Sequence, residues 1–388
     1  MRASNPQGRQ RHWSRWLRRR VVPLIVAVTL SLVGVGVQLT APVAAHAASS
    51  VPNGPSAVED EFGNQYVFWR GATGHQNLYE TYYNVYTKTW SNAMDLGMGP
   101  LGSEPTVVST DQVFAGPGGK EFNAQYVYWE GQDGGIFMAY WEGGWHGPTE
   151  LSNVSVCSQP GAAAVYPNKL EILIFWQGTG GYCGQDNGQG SGLYYTYSTS
   201  ANPTSAAGYS AQSYQDSSAG LIGSAPSATT VIGSEGQTEL ADSAMVTWKG
   251  NDSALWTQTY DSLFPAWSSP AAYSQAGLIG SAPSDAGNTY NAQADSADVT
   301  WTGQDGKLWY GNVYPGVPEP VAQVPAASSP ISAPTTAQAP RYTQLALPAY
   351  LNEHIFYVGP DNNLWQSVYD ASTHTWGDQD LGDGPILP

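Results

Sequence analysis

Apolar and polar residues alternate along the segment 299–310, as the two faces of a pleated strand require. Val299 and Trp301 are separated by threonine, and the stretch from Gly303 to Gly306 supplies a turn that tolerates a positive φ angle. The apolar segment 308–310 then opens a return strand. The pattern predicts a β-hairpin.

The same hairpin pattern occurs six times along the chain. In each copy an apolar strand reaches a large ring, a glycine-containing turn follows, and a second aromatic residue comes directly after Leu or Ile. The first ring is Trp69, Trp129, Trp176, Trp248, Trp301 or Tyr357. The second aromatic residue is Tyr79, Phe137, Tyr194, Trp256, Trp309 or Trp365.

Two further features recur between the hairpins. A Ser-x-Pro step, which we call the anchor, precedes the first strand of the next unit, with its proline at Pro105, Pro160, Pro226, Pro283 and Pro334. Most units also carry a late tryptophan between hairpin and anchor, at Trp90, Trp145, Trp267 and Trp376. In unit three we expect Tyr209 or Tyr214 to take that position.

Each unit therefore offers four antiparallel strands in about 50 residues, which is typical of a propeller blade. The last segment, 381–388, matches 96–101, so the units fill the chain from residue 48 onward. With 44 Gly and only 12% charged residues, the composition also favours a turn-rich all-β protein. We predict a single domain over 48–388, a six-bladed β-propeller of four-stranded antiparallel blades.

Residues 1–47 are set apart from this fold. An arginine-rich start precedes an apolar run from Val21 to Val37, and Ala45-His46-Ala47 offers small residues for cleavage. We interpret the segment as a bacterial export signal peptide, by either the Sec or the twin-arginine route, and expect a secreted, extracellular protein. The alternative is an uncleaved anchor, since the run approaches the ~20 residues of a membrane span.

Removal of the signal makes the chain strongly acidic. Of the 14 basic residues seven lie in 1–47, so seven face 31 acidic residues in the remainder, a net charge of −24. Phosphate binding needs a cationic face, so this balance argues against nucleic acid and against a membrane partner after cleavage. It is typical of a soluble extracellular protein, which we expect to be a monomer.

Two cysteines remain, Cys157 and Cys183. In an exported protein such a pair predicts a disulfide, and alternate connections of a meander emerge on the same side of a blade, where these two could meet. Two free thiols are the alternative. Two cysteines without a histidine pair do not make a zinc site, and we predict no metal and no cofactor.

The aromatic residues divide into three classes. The first rings alternate with apolar neighbours in strands covered on both faces, which favours packing. The second aromatics, including Trp256, Trp309 and Trp365, fit packing or binding equally. The late tryptophans Trp90, Trp145, Trp267 and Trp376 stand near loop ends, where an indole can stack on the apolar face of a sugar. Asp residues in the Gly-x-Asp turns are explained by local backbone bonding.

With these repeats in view, the chain resembles the fucose-binding lectin-like propellers secreted by bacteria and fungi. The resemblance rests on the Val-x-Trp-x-Gly-x-Asp-x-x-Leu-Trp hairpins, the late tryptophan and the anchor, and extends from about Val51 to Pro388. It implies sugar pockets between adjacent blades, each with an arginine and an acid beside a ring. Only Arg70 and Arg341 could serve, so at most two pockets would have this form.

Three functions stay open on the sequence alone. The leading hypothesis is non-catalytic binding of glycans or cell-surface polysaccharide at several weak sites. A second is a propeller-type glycoside hydrolase or lyase with carboxylates near the central channel, because such enzymes need only a few acids from different blades. A third is a scaffold that binds other proteins. No nucleophile elbow, metalloprotease helix or phosphate loop occurs in the sequence, so we do not assign catalytic residues.

Overall fold

The structure is a computed structural model of the chain. It describes residues 54–60, 62–72, 74–115, 121–166, 170–178, 191–231, 243–262, 265–287, 296–314, 320–325, 329–337, 353–370 and 372–382. These residues form six antiparallel sheets of four or five strands. Apart from the strands they contain two short 3-10 turns, Ala206–Gly208 and Ser274–Ala276. The six-bladed propeller with four main strands per blade is confirmed.

The first three blades follow the chain in order. Blade 1 contains β1 (Ser56–Glu59), β2 (Gln65–Arg70), β3 (Leu78–Asn84), β4 (Thr89–Trp90) and the short β5 (Met94–Asp95). Blade 2 contains β6 (Thr106–Ala115), β7 (Glu121–Glu130), β8 (Gly135–Trp141) and β9 (Trp145–Ser155). Blade 3 contains β10 (Gly161–Val165), β11 (Glu171–Gly178), β12 (Gly192–Tyr197) and β13 (Tyr214–Asp216).

The other three blades repeat this order. Blade 4 contains β14 (Ser227–Val231), β15 (Ser243–Lys249), β16 (Leu255–Asp261), β17 (Ala266–Trp267) and β18 (Ala271–Ala272). Blade 5 contains β19 (Ser284–Gly287), β20 (Ala297–Thr302), β21 (Leu308–Val313) and β22 (Val321–Gln323). Blade 6 contains β23 (Thr335–Thr336), β24 (Glu353–Val358), β25 (Leu364–Asp370) and β26 (Thr375–Asp380).

The ring closes through the first strand of each blade. Each of these strands contacts the first strand of the next blade, and β23 contacts β1. Every described strand pairs within its own consecutive group, so one sequence repeat corresponds to one blade. Among the residues that the structure describes, no blade combines strands from both ends of the chain. The ring is therefore closed by contacts between neighbouring blades.

The predicted hairpin takes the expected register. Trp301 lies opposite Trp309 across β20 and β21. The turn is closed by Gly303 N–H, which donates to the Lys307 carbonyl at 2.9 Å, and Gly306 adopts a φ of 74°. A side chain with a Cβ is strained at that φ, which explains glycine at this position.

The core consists of six clusters, each between two neighbouring blades. The first rings of all six hairpins lie in these clusters and are at most 3% exposed. They pack across interfaces and are closed to solvent, as the alternation predicted.

The anchor serine fastens each hairpin to the start of the same blade. In blade 5 the Thr302 N–H donates to Ser281 Oγ at 3.0 Å, and that hydroxyl donates to the Ala282 carbonyl at 2.7 Å. The same pair of bonds is made by Ser103, Ser158, Ser224 and Ser332. One hydroxyl thus satisfies two backbone groups where the chain enters each blade.

Several sequence predictions concern residues beyond the described part of the chain. The signal segment 1–47 and Cys183 lie outside the described residues, so export and the disulfide with Cys157 stay predictions. Within the described residues, no helix is long and apolar enough to cross a membrane.

Candidate functional site

The two ends of the ring carry different residues, because strand direction alternates through each meander. The anchors and the Gly-x-Asp turns lie at the start of the first strand and between the second and third, which is one end of the ring. We call this the anchor end. The connections between the first and second strands and between the third and fourth strands lie at the opposite end. Second aromatics therefore lie near the anchor end and late tryptophans near the opposite end.

Each late tryptophan begins an outer strand and packs on the preceding blade. Trp145 meets Phe68 edge-on with ring centroids 5.5 Å apart, and Trp90 meets Phe356 in the same way at 5.8 Å. All four late indoles are partly exposed, so they are neither fully buried core residues nor fully exposed surface rings. Each forms one wall of an inter-blade groove.

Tyr209 takes the place of the late tryptophan in blade 3, as one of the two predicted alternatives. It packs edge-on against Tyr128 of blade 2, and the two hydroxyls are 2.6 Å apart. The Tyr209 hydroxyl also lies 3.1 Å from Met138 Sδ. Tyr214 instead stacks on Tyr195 within blade 3. The preceding-blade contact therefore recurs even where the residue type changes.

The groove between blades 5 and 6, which we call groove 5/6, combines partly exposed rings with two partly exposed carboxyl groups. Trp376 lies 5.1 Å from the Tyr310 ring and 5.3 Å from the Tyr369 ring. Cross-strand register places Glu353, Tyr369 and Trp376 in one row on blade 6. Three aromatic rings thus contact one another across this interface, and Glu353 lies close to one of them, Tyr310.

The facing row on blade 5 is polar. Asp298 lies opposite Asn312 in the sheet, and Asn312 Nδ2 donates to Asp298 Oδ1 at 3.0 Å. Tyr310 lies on the same face, two pairs further along the two strands. Groove 5/6 therefore presents carboxylate, amide and phenol groups beside partly exposed rings, which is the mixture that sugar hydroxyls and sugar faces require.

The two acids of groove 5/6 do not both ionise easily. Burial, and then the nearby Asp298 carboxylate, raise the pKa of Glu353 to about 8. Burial and the Glu353 charge also raise the pKa of Tyr310. At neutral pH Glu353 is therefore mainly protonated and can donate a hydrogen bond while Asp298 accepts one.

In two other grooves the polar side chains hydrogen-bond to one another within the protein. In the groove between blades 1 and 2, Trp145 Nε1 donates to Glu80 Oε2 at 2.9 Å, and burial raises the pKa of Glu80 to about 7. Between blades 6 and 1, Gln366 Nε2 contacts Gln65 Oε1 at 3.0 Å and His354 Nδ1 at 2.9 Å. Burial lowers the pKa of His354 to about 4, which keeps its ring neutral.

The groove between blades 3 and 4 is aromatic instead. Trp267 lies 5.5 Å from the Tyr195 ring and 5.2 Å from the Tyr260 ring, and its outer face is partly exposed. Burial raises the pKa of Tyr260 further above its ordinary value, so this side chain stays a neutral phenol at physiological pH. Its rings also have acidic neighbours, because Glu171 acts on both tyrosines.

The second tryptophans are tied to their own turns at the anchor end. The indole N–H groups of Trp256, Trp309 and Trp365 donate to the aspartate four residues earlier, at 3.2, 3.2 and 3.0 Å. Each aspartate also accepts the backbone N–H two residues further on. These aspartates therefore close turns, as their sequence context predicted.

Arg70 lies at the anchor end, whereas the late tryptophans lie near the opposite end. Arg70 Nε lies 3.3 Å from Glu104 Oε1 at the anchor end, and the Arg70 N–H donates to Glu104 Oε2 at 3.0 Å. In the other blades an anchor serine accepts the corresponding N–H, so Glu104 fulfils that structural role for blade 1. Arg341 lies outside the described residues.

The described lining of the central channel contains few ionisable side chains, and the described residues do not form a cluster of metal ligands. The cavity on the axis is lined by small, hydroxyl and proline residues of all six blades, and Asp285 is the one acidic residue among its described lining. Within the described chain, His, Cys, Asp and Glu side chains do not gather in threes as metal ligands would.

Sequence reasoning did not identify Asp298, Glu353, Asn312, Tyr310 and Tyr369 as a group. One signal was present. Position 298 stands three residues before a first ring, where the other units have Tyr66, Tyr126, Leu173, Met245 and His354. A carboxylate at a position that is otherwise mostly apolar or aromatic marks a departure from the repeat.

Comparison with known proteins supports the fold. The fucose-specific lectin from Aleuria aurantia has a TM-score of 0.56 at 16% identity, over 84% of this chain and 94% of the lectin. The SapL1 lectin in complex with alpha methyl fucoside has a TM-score of 0.55 at 14% identity, over 87% and 97%. The GH93 α-L-arabinofuranosidase of Fusarium graminearum with arabinobiose has a TM-score of 0.54 at 11% identity, over 82% and 93%.

At these identities the likeness concerns the fold, and at that level the predicted resemblance to fucose-binding lectin propellers is confirmed. No protein-family model matches the chain, and no curated protein matches it.

Proposed function

We propose that the chain is an exported, non-catalytic carbohydrate-binding propeller whose inter-blade grooves hold sugar residues, with groove 5/6 as the strongest site. The observation that carries the proposal is the pair of facing rows in groove 5/6, with two rings and the Glu353 carboxyl on blade 6 and the Asp298–Asn312 pair and the Tyr310 ring on blade 5. Solved propellers of the same fold include lectins in complex with fucosides.

The chemistry of groove 5/6 favours an uncharged sugar. The partly exposed rings of Trp376, Tyr310 and Tyr369 offer flat apolar surfaces to the C–H face of a pyranose. Asp298 accepts hydrogen bonds from hydroxyls, and protonated Glu353 donates one. Among the described residues, no arginine lines this groove.

Affinity at one groove is expected to be modest. Shallow, partly exposed sugar sites hold their ligands weakly, and several sites on one ring gain strength together when the ligand is a dense glycan surface. The other aromatic grooves would then contribute additional contacts to the same polysaccharide.

The test compares two aspartates of blade 5 that differ in position. Asp298 lies in groove 5/6, whereas Asp305 lies in the exposed hairpin turn and its backbone contact survives replacement by asparagine. A glycan array identifies ligands, and calorimetric titration with the best of them follows for the two variants Asp298→Asn and Asp305→Asn. We expect about a tenfold loss for the first, because a charge-assisted bond is removed, and no change for the second.

Absence of binding to any arrayed glycan, with titration to millimolar ligand, would contradict the proposal. Equal affinity of the two asparagine variants would show that sugars bind elsewhere.

A glycoside hydrolase is the second candidate. The observation in its favour is the acidic pair in groove 5/6, because a carboxyl with its pKa near 8 beside a second carboxylate resembles a general acid with its partner. One propeller with the same fold is an arabinofuranosidase. Turnover of 4-nitrophenyl glycosides by the wild-type chain, lost in Glu353→Gln, would replace the binding proposal with this one.

A further inference from the structure

A second kind of site is present at the anchor end of the ring. An open cleft of about 200 Å³ lies where the link from blade 1 meets the hairpin turn of blade 2. We call it the anchor-end cleft. Its described lining consists of Gly99, Pro100, Trp129, Gly131, Gln132, Asp133, Phe137 and Pro148.

The aromatic side of the cleft belongs to the hairpin of blade 2. Phe137 stacks on Trp129 with ring centroids 6.2 Å apart and planes inclined by 16°. A Cβ on Gly131 would lie 2.3 Å from Phe137 Cε2, so the phenyl ring lies directly on the turn. Pro100 and Pro148 are exposed and form the walls around this partly exposed ring.

The turn carboxylate is what distinguishes blade 2 from blades 4, 5 and 6. In those blades a tryptophan follows the turn, and its indole N–H donates a hydrogen bond to the turn aspartate. In blade 2 the residue is Phe137, which has no N–H to donate. Asp133 Oδ1 accepts the Gly135 N–H at 3.1 Å, and the side chain is otherwise exposed at the rim of the cleft.

The rim also selects the charge of the ligand. Gln132 is exposed beside Asp133, and its Nε2 donates to Gln76 Oε1 at 2.6 Å, which leaves the Gln132 carbonyl oxygen to face solvent. The described lining contains a carboxylate and an amide but no cationic side chain. The cleft therefore disfavours an anionic ligand. Its apolar floor also disfavours a bare cation.

We propose that the anchor-end cleft binds an uncharged pyranose, whose apolar face rests on Phe137 and whose hydroxyls bond to Asp133 and Gln132. The cleft and groove 5/6 lie at opposite ends of the ring. A single chain would then hold sugars at both ends and link two glycan surfaces. The cleft goes beyond the proposed function and does not depend on groove 5/6.

The test separates the two ends. Saturation-transfer NMR and calorimetry are run with four probes: methyl α-L-fucoside, methyl α-D-mannoside, methyl β-D-galactoside and methyl β-D-glucoside. The wild-type chain is compared with Asp133→Asn, Phe137→Leu, Trp376→Ala and the matched control Asp361→Asn, whose indole partner remains. Folding of every variant is checked by circular dichroism and thermal melting.

We expect Trp376→Ala to retain binding of at least one probe and Asp133→Asn to weaken that residual binding about tenfold, with Asp361→Asn unchanged. Phe137→Leu keeps an apolar side chain but removes the flat ring, so it should weaken binding as well. Residual binding in Trp376→Ala that neither cleft substitution changes would overturn the inference, as would absence of residual binding. Binding confined to the cleft would instead overturn groove 5/6.

Discussion

The replacement of Asp285 by asparagine should change how stability depends on pH. Asp285 stands two residues after an anchor proline, where the other blades have Ala57, Val107, Ala162, Ala228 and Thr336. It faces Thr247, which occupies a position held by an aromatic ring in blades 1, 2, 3 and 6. The Thr247 hydroxyl donates to Asp285 Oδ1, so one interface has exchanged a ring and a small residue for a hydrogen-bonded polar pair.

The pair is sealed from solvent and incompletely satisfied. Asp285 is 5% exposed and Thr247 is fully buried. Asp285 Oδ2 has no hydrogen-bond partner among the described groups, and the same is true of Thr257 Oγ1, which lies opposite Thr247 across the strands. Such an environment opposes a negative charge.

The size of the effect follows from the pKa. Burial raises the pKa of Asp285 from its ordinary 3.8 to about 7, and the bond from Thr247 only partly offsets this. The folded chain then keeps the proton between pH 4 and 7 while the unfolded chain loses it. Stability from this group is complete below pH 4 and is lost as the pH rises through about 7, by about 4 kcal/mol at most.

Asparagine keeps the shape and the acceptor for Thr247 but cannot ionise. The free energy of unfolding, measured by denaturant titration from pH 4 to pH 8, should therefore favour Asp285→Asn over the wild type increasingly as the pH rises. Other buried acids, such as Glu59 and Glu104, have pKa values raised in the same direction and remain in both proteins, so the difference isolates Asp285. The exposed Asp305→Asn serves as control. A difference that stays constant across this pH range would refute the reasoning.

Three further substitutions test the fold and its grooves. Ser281→Ala should lower the free energy of unfolding by about 1–3 kcal/mol in denaturant titration, because two backbone groups lose their shared partner. Gly303→Ala should lower the melting temperature, since its Cβ would lie 2.5 Å from a turn carboxylate oxygen, whereas Gly377→Ala has open space and should be neutral. Trp145→Phe should destabilise by about 1–3 kcal/mol at neutral pH by leaving the buried Glu80 without its donor, with little added loss when Glu80 is also replaced by methionine.

The fold was largely predictable because each repeat states the same requirements. Alternating rings, a glycine turn and an anchor serine each satisfy a local need, and six copies leave few arrangements that bury every first ring. Even the substitution of the late tryptophan in blade 3 was foreseen as Tyr209 or Tyr214. The structure decides for Tyr209, since only its ring reaches Tyr128 of the preceding blade.

The site was less predictable because it depends on departures from the repeat. Asp298 and Glu353 belong to different blades and come together only when the ring closes. Arg70 could not be placed from its sequence context either, because its N–H is fastened by Glu104 of the next anchor in a blade without the usual serine. The sequence of a single repeat does not indicate which residues contact each other between blades.

Each interface between neighbouring blades has two parts. The part near the anchors maintains closure of the ring, whereas the part at the opposite end can differ in sequence from one interface to the next. Near the anchors, hydroxyl and backbone bonds recur in five blades with almost the same geometry. Three residues before the first ring, at the opposite end, the six units have tyrosine twice and leucine, methionine, aspartate and histidine once each. Because these side chains line the grooves, the six grooves cannot be chemically equivalent. The strength of sugar binding should therefore differ from groove to groove, although the fold itself is repeated six times.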